Sequence, residues 1–354
     1  MTEVSPEKWA EQYRTVRGNY ESLTQRLHAL IVDLLSDAGI EVIQIEARAK
    51  DISSFQEKIA RKGAKYRDPL TEITDLVGLR IITYYLEDVA RVGKILKREF
   101  NIDEANSVDK SADLDADRFG YTSVHYIATL SSDRGSLVEW KQYADIKVEI
   151  QVRTALQHAW AAVNHKLDYK SSKEVPKAIR RRLFRLNALF ELADEQFSEL
   201  RDARLQVETE YAEDVREGQF DLPVDEASLH AYLQAGDRKD RIIRLVADSG
   251  AKVVMPDEKR SARDRKDLVQ YLNKIGISTI KQLDDYLVKE IFPMQLAGTN
   301  FLEDAAGLED WLTVLIMYDQ QVDRETYSKF YEPSSYDENA ALFHVWQERK
   351  RAIR

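Results

Sequence analysis

From Pro6 to Leu35 the apolar positions recur at helical spacing, with Ser5-Pro6-Glu7 at the head and Gly39 just past the end, which predicts one long opening helix. Residues 41–152 change period. The runs EVIQIEA, LRIITYY, TSVHYIATL and IKVEIQV are short, rich in β-branched and aromatic residues, and interleaved with helical stretches at 51–62 and 87–99. That alternation predicts a mixed α/β sheet. In the last run Ile146, Val148, Ile150 and Val152 alternate with Lys147, Glu149, Gln151 and Arg153. A period of two buries one face and leaves a row of polar groups on the other. Thr154 then caps a helix whose Leu156, Trp160, Val163 and Leu167 share one side, with His158 and His165 on another. From residue 174 strand patterns nearly vanish. Residues 177–215 keep helical periodicity, about ten turns at 3.6 residues each. EGQFDLPVDE, with Gly218 and Pro223, is a break, and shorter helical patterns follow at 225–235, 238–249, 264–275, 279–290, 306–318 and 338–352.

A chain of 354 residues has room for two domains. Its net charge of -10 gives no bulk positive field, so nucleic-acid or membrane contact would need a local patch. The absence of cysteine excludes disulfides, thiolate zinc sites and cysteine nucleophiles. The amino terminus is charged throughout, and no run of about 18 apolar residues occurs, so a soluble, cytoplasmic protein without membrane contact is expected.

Four stretches carry candidate chemistry. In ARAKDISSFQEKIARK, Arg48 and Lys50 leave a strand while Ser53, Ser54, Lys58, Arg61 and Lys62 begin a helix. Free backbone donors, hydroxyls and cations together suit a polyphosphate, although an ordinary capped helix with a solvated basic face reads the same way. In ITDLVGLRIITYY, Asp75 precedes Arg80 at a strand start, with Gly78 permitting close backbone approach; a turn aspartate is the bland alternative. In RFGYTSVHYIATL, Tyr121 follows a glycine and stands ahead of Ser123 and His125, placed either to stack on a base or to pack an edge strand. The fourth stretch contributes Glu149. If neighbouring strands join it to Asp75, the pair supplies hard oxygen ligands for Mg²⁺, which takes one or two carboxylates plus phosphate oxygens and water. His158 and His165 lack zinc spacing, and no Walker A, Rossmann, GxSxG or kinase pattern is present.

Taken in order, RAKDISSFQEK, TDLVGLR, GYTSVH and EIQVRTALQHAWAAVNHKLDYK resemble the synthetase domain of the RelA/SpoT homologue family, over roughly residues 20–200. The resemblance implies an α+β fold, a nucleotidyltransferase-like mixed β-sheet flanked by helices, followed by a mostly helical C-terminal region. It implies transfer of the β,γ-pyrophosphate of ATP to a 3′-hydroxyl. Arg48 and Arg80 would sandwich the adenine, and Lys50, Ser54, Lys58 and Arg61 would hold the phosphates. Asp75 and Glu149 would bind Mg²⁺, Glu149 also taking the hydroxyl proton. Tyr121 would stack on the acceptor base, with His125, Gln151 and His158 beside it.

The approach to Tyr121 departs from the family pattern. Alarmone synthetases carry basic residues there for the 5′ phosphates of GDP or GTP, whereas DKSADLDADRFGY has Asp113, Asp115 and Asp117. Carboxylates repel a polyphosphate. The chain therefore looks closer to toxic members that modify the 3′-terminal adenosine of tRNA, with a (p)ppGpp synthetase and a catalytically dead nucleotide-sensing module as alternatives. Arg180, Arg181, Arg182 and Arg185 are candidate tRNA contacts or else a solvated helix face. The organisation also resembles the CapRel type, a toxin fused to its antitoxin and released by a phage protein. On that reading residues 1–200 are the pyrophosphokinase domain, 201–225 a helical extension and linker, and 226–354 a helical, degenerate zinc-finger-like regulatory domain. Tyr327, Tyr331 and Tyr336 would then enter the nucleotide cleft, or simply pack their own core.

Overall fold

The computed structural model describes residues 5–62, 65–109, 123–167, 177–248, 252–254, 258–294, 305–320, 322–331, 346–348 and 350–352. Contacts divide it into two units, Met1–Arg201 and Asp202–Arg354.

In the first unit α1 (Pro6–Asp37) begins where the Ser5 side chain accepts from the Lys8 amide, and the chain leaves it through Gly39 at φ +61°. Six strands form the sheet: β1 (Val42–Ala49), β2 (Val77–Thr83), β3 (Phe100–Ile102), β4 (Val108–Asp109), β5 (Val124–Leu130) and β6 (Val148–Thr154), in the order β1-β2-β6-β5-β3 with β4 also paired to β5. Only β2 and β6 run parallel. Four strands and both intervening helices, α2 (Ile52–Lys62) and α4 (Leu86–Glu99), fall where the periodicity places them. Between them are α3 (Pro69–Glu72) and, after β5, α5 (Ser132–Gly135).

Alternation decides which face is which. Val77, Leu79 and Ile81 of β2 and Val148, Ile150 and Val152 of β6 are buried in one cluster with Tyr13, Leu23, Leu27 and Ile31 of α1 and Val92 and Leu96 of α4. At the α4 crossing, a Cβ on Gly93 would collide with the Tyr126 hydroxyl, so glycine is needed there. The opposite face carries the polar row.

Helix α6 (Ala155–Leu167) follows β6 directly, and α7 (Lys177–Arg216) is the long helix. Thr154 and Gln157 cap α6 reciprocally, the Gln157 amide reaching Thr154 Oγ1 at 3.1 Å and the Thr154 amide reaching Gln157 Oε1 at 2.9 Å. The expected apolar side of α6 holds only in part. Trp160 is buried against Phe190, but Val163 is 48% exposed, because α6 is anchored by its first turns.

The second unit is helical: α8 (Glu226–Gln234), α9 (Gly236–Asp248), α10 (Glu258–Lys274), α11 (Ile280–Tyr286) continuing into a π-helical turn Leu287–Ile291, α12 (Leu308–Gln320) and α13 (Arg324–Tyr327). A short parallel pair, β7 (Lys252–Val253) and β8 (Ala305–Ala306), has no counterpart in the sequence pattern. Val215, Leu222 and Val224 join this unit's core with Leu229, Tyr232, Leu268, Leu283, Trp311 and Trp346. The stretch 217–226 is thus packed chain. No helix among the described residues is long and apolar enough to cross a membrane.

Candidate active site

Strand register assembles the polar face of the sheet row by row. Arg48 on β1 lies opposite Gly78 on β2, and Gly78 opposite Glu149 on β6. One row along, Glu46, Arg80, Gln151 and His125 line up across β1, β2, β6 and β5. Ile82 and Arg153 follow. A Cβ at Gly78 would meet only Arg48, at 4.0 Å, so packing does not require the expected close approach; the glycine leaves the floor between Arg48 and Glu149 bare.

Asp75 sits in the turn leading into β2 and accepts from Lys50 Nζ and Lys58 Nζ, each at 2.8 Å. Burial works to raise its carboxyl, but the hydrogen bonds and charges of the two lysines outweigh it and hold the group below the usual carboxylate range. Lys50 is fixed through its backbone: its amide donates to Leu76 O at 2.9 Å, and its carbonyl accepts from Tyr13 OH at 2.8 Å and Arg17 Nε at 3.2 Å. Tyr13 itself stacks on Phe55 of α2, ring centroids 4.5 Å apart. The opening helix thus sets the position of a cation of the site, a role no sequence motif marks.

Glu149 Oε1 accepts from His125 Nδ1 at 2.9 Å, and Ser123 Oγ lies 2.7 Å from His125 Nε2. With the proton on Nδ1, Ser123 donates to the other ring nitrogen. The His125 hydrogen bond holds the Glu149 carboxyl below its usual range, against burial and against the charge of Asp75. The two carboxylates therefore feel each other, one held by lysines and the other by histidine.

Beyond them lies a second group. Arg80 Nη1 donates to Glu46 Oε2 at 2.6 Å, and Arg153 Nη2 to Gln151 Oε1 at 3.0 Å. Burial, then the Arg80 charge, lowers the Arg153 guanidinium to about 10. Burial, then Arg153 and Arg80, pushes the His158 imidazole down, so it is neutral at pH 7. Among the described residues Arg80 Nε, Arg153 Nε and His158 Nδ1 are buried without a hydrogen-bond partner. Glu46 and Arg153 were not singled out by motif; Arg153 is on the alternating polar row, and only register reveals Glu46.

The remaining candidates are spread. Arg48, Ser54 and Arg61 are exposed, Ser54 and Arg61 on α2. Tyr121, Asp113, Asp115, Asp117 and Tyr336 lie outside the described residues, as do the side chains of His165 and Arg180. Arg181, Arg182 and Arg185 are exposed on α7. Tyr327 is 3% exposed in the second unit's core, and Tyr331 donates to Asp310 Oδ1 at 2.6 Å and packs on Tyr327. In this arrangement both rings pack within their own unit.

Among the described residues no cluster of three or more His, Asp or Glu side chains forms a metal cage. Two carboxylates within electrostatic reach suit an ion that completes its shell with substrate oxygens, the habit of Mg²⁺.

Residues 47–174 match the family described as "Region found in RelA / SpoT proteins". GTP pyrophosphokinase YjbM of Bacillus subtilis (strain 168) is 30% identical over 168 residues, 44% of this chain and 71% of that protein. GTP pyrophosphokinase YwaC of the same organism is 29% identical over 136 residues, 38% of this chain and 61% of its own length. Among solved structures, the small alarmone synthetase 1 from Bacillus subtilis is 25% identical, with 55% of this chain and 99% of that one covered and a TM-score of 0.45.

Proposed function

The chain belongs to the RelA/SpoT family of synthetases, and from that premise we propose that it transfers the β,γ-pyrophosphate of ATP to a 3′-hydroxyl of an acceptor. The observation that carries the reading is that Asp75, held by Lys50 and Lys58 in the turn before β2, lies within electrostatic reach of Glu149, held by His125 on the sheet face. Asp75 and Glu149 would hold Mg²⁺, which when bound neutralises developing charge on the phosphates. Lys50 and Lys58, with Ser54 and Arg61 on the same helix, supply cations and a hydroxyl for the triphosphate. Glu149, ionised at neutral pH, accepts the 3′-hydroxyl proton. Arg48 and Arg80 flank the adenine.

For the acceptor we favour the 3′-terminal adenosine of tRNA. Asp113, Asp115 and Asp117 precede the stacking Tyr121, and a terminal adenosine brings no 5′ polyphosphate for them to repel. GDP or GTP is the second reading, favoured by two relatives that are named GTP pyrophosphokinases. Incubation with γ-labelled ATP and either deacylated tRNA, GDP or GTP decides: label on tRNA supports the first, label on the guanosine nucleotide the second, and label on none removes both. The second unit is read as a restraint released by a phage protein, which would place this pyrophosphokinase among cytoplasmic toxin-antitoxin systems of antiviral defence. The support is its separate core beyond the matched span. Tyr331→Ala with Tyr336→Ala is expected to make expression toxic, and unchanged growth with an active protein would remove that part.

A further inference from the structure

Strand β6, which carries Glu149, Gln151 and Arg153, passes without a loop into α6, which carries His158, and Thr154 is the joint between them. Where His158 stands relative to Arg153 is therefore set by how that joint is held. It is buried, Thr154 at 0% and Gln157 at 6% exposure, and its support comes from α7. Asp194, 1% exposed, accepts the Thr154 hydroxyl on Oδ2 at 2.5 Å, and the same Thr154 oxygen accepts the Gln157 amide at 3.1 Å. A hydroxyl has one proton to give; donated to Asp194, it leaves the lone pairs free for the α6 cap. A chain of bonds thus runs from α7 through the joint to the first turn of α6. Helix α7 is itself fixed on either side of Asp194. Phe190 lies against Trp160 of α6, ring centroids 6.1 Å apart, and Arg201 stacks on Tyr85 at 5.0 Å and reaches Asp88 at 3.6 Å.

Packing alone does not account for Asp194. Among the described residues its Oδ1 has no hydrogen-bond partner and no cation pairs with the carboxyl, so an apolar side chain of similar volume would sit there without that penalty. What the carboxyl adds is direction, since a hydrogen bond fixes the angle of the hydroxyl it receives and apolar contact does not. We propose that Asp194 is a positioning residue of the cleft: through Thr154 it sets the start of α6 and so fixes where His158 stands relative to Arg153. Its consequence for turnover rests on the reading that the acceptor lies beside His158.

Asp194→Ala and Thr154→Val break the bond, whereas Asp194→Asn and Thr154→Ser keep an acceptor and a hydroxyl in place. With whichever of deacylated tRNA, GDP or GTP takes the label, the first two should raise the KM for that acceptor about tenfold and leave the KM for ATP unchanged, and the second two should stay near the parent. Asp194→Ala combined with Thr154→Val should do no more than Thr154→Val alone, because both remove the same bond. His158 gives a readout without turnover. Its ring C–H resonance, picked out from the six histidines by its loss in His158→Gln, should shift in Asp194→Ala and Thr154→Val and return in Asp194→Asn. Asp319→Ala, destabilised in the second unit, should move neither the resonance nor the acceptor KM, which separates positioning from lost stability. A resonance unmoved in Asp194→Ala overturns the proposal, as does an acceptor KM that is unchanged or rises only together with that for ATP, or an Asp194→Asn protein no better than Asp194→Ala. Should no acceptor take label, the transfer reading falls by itself, and the resonance still decides whether Asp194 places His158.

Discussion

Charged side chains are gathered in both units, yet to different ends. In the first unit, Glu149 and Arg80 on the open sheet face and Asp75 in the turn before β2 are each held by side chains from other elements and stay partly exposed. In the second unit the charges are closed in. Asp319 Oδ2 accepts from Tyr286 OH at 2.6 Å, while its Oδ1 takes Trp346 Nε1 at 3.2 Å and the Lys350 ammonium, which also reaches Glu290 at 2.7 Å. Arg265 and Glu309 pair at 3.1 Å with side chains only 8% exposed. Tyr232 OH and Arg238 Nε converge on Asp284 at 2.7 and 3.1 Å, the carboxylate being covered while the Arg238 side chain stays 30% exposed. The same residue types thus serve two tasks. Where pairing leaves one side of a carboxylate open to solvent, the charge is available to a ligand; where the carboxylate is covered, as at Asp319 and Glu309, it fastens helices.

The contrast is broken most severely at Glu149. Glu149→Gln keeps the shape but removes the proposed proton acceptor and one of the two carboxylates proposed to hold Mg²⁺, so on that reading the transfer rate should fall by about 10² to 10⁴ with little change in melting temperature. A steady-state assay with labelled ATP, paired with thermal melting, reads both. Asp319→Ala should do the converse. It strands Tyr286, Trp346 and Lys350, and removing one member of a buried charge network costs about 3–5 kcal/mol. A denaturant titration should show that loss, while protein still folded should transfer pyrophosphate at least as fast as before. If Asp319→Ala abolished transfer in folded protein, the division between the two kinds of cluster would fail.

Much of this was legible without coordinates, for a physical reason. A half-buried strand must alternate, so the Lys147–Arg153 row announced both its strand and its exposed polar face, and Asp75 and Glu149 could be singled out by type and place. Pairing was another matter. The strands Phe100–Ile102 and Val108–Asp109 are too short to show a period and exist through their bonds to β5. The Glu46–Arg80 pair and the closeness of Arg80 to Arg153 and His158 depend on register, which a single strand does not encode. Nor does helical periodicity say which side is inward: α7 was predicted as a helix, but Asp194 reads as solvent-facing until its burial is seen. Tyr327 belonged to an aromatic group whose two readings, insertion or packing, share one sequence.

Asp194 sharpens the comparison from a third side, being buried with no cation paired to it among the described residues. Thr154 Oγ1 donates to its Oδ2 at 2.5 Å, and its Oδ1 has no partner. Burial, then the Glu87 charge, pushes its carboxyl up to about 7. The sign follows. Below the ordinary value both folded and unfolded chains carry the proton; between about 4 and about 7 only the folded chain keeps it, so this group's contribution to stability is lost as pH rises through that window. Asp75 and Glu149, with depressed values, act the other way and lose their contribution as pH falls. Asp194→Asn should therefore gain melting temperature relative to the parent as pH rises from about 4 to about 7, and no further above it. A difference flat across that range would show Asp194 ionised like the others.

The smallest effect tests whether the opening helix belongs to the open cluster or merely to the core beneath it. Tyr13 is buried, burial pushing its phenol up to about 12, and its hydroxyl donates to the Lys50 carbonyl. Tyr13→Phe keeps the stack on Phe55, and Arg17 Nε remains on the same carbonyl, so stability should fall by only about 1 kcal/mol. If the hydroxyl positions Lys50, the KM for ATP should rise several-fold while kcat changes little, because what loosens is the placement of a cation proposed to bind phosphate and not the proposed proton acceptor. An unchanged KM alongside the small loss of stability would make Tyr13 a core residue only, and would end the reach of the functional cluster at Lys50 itself.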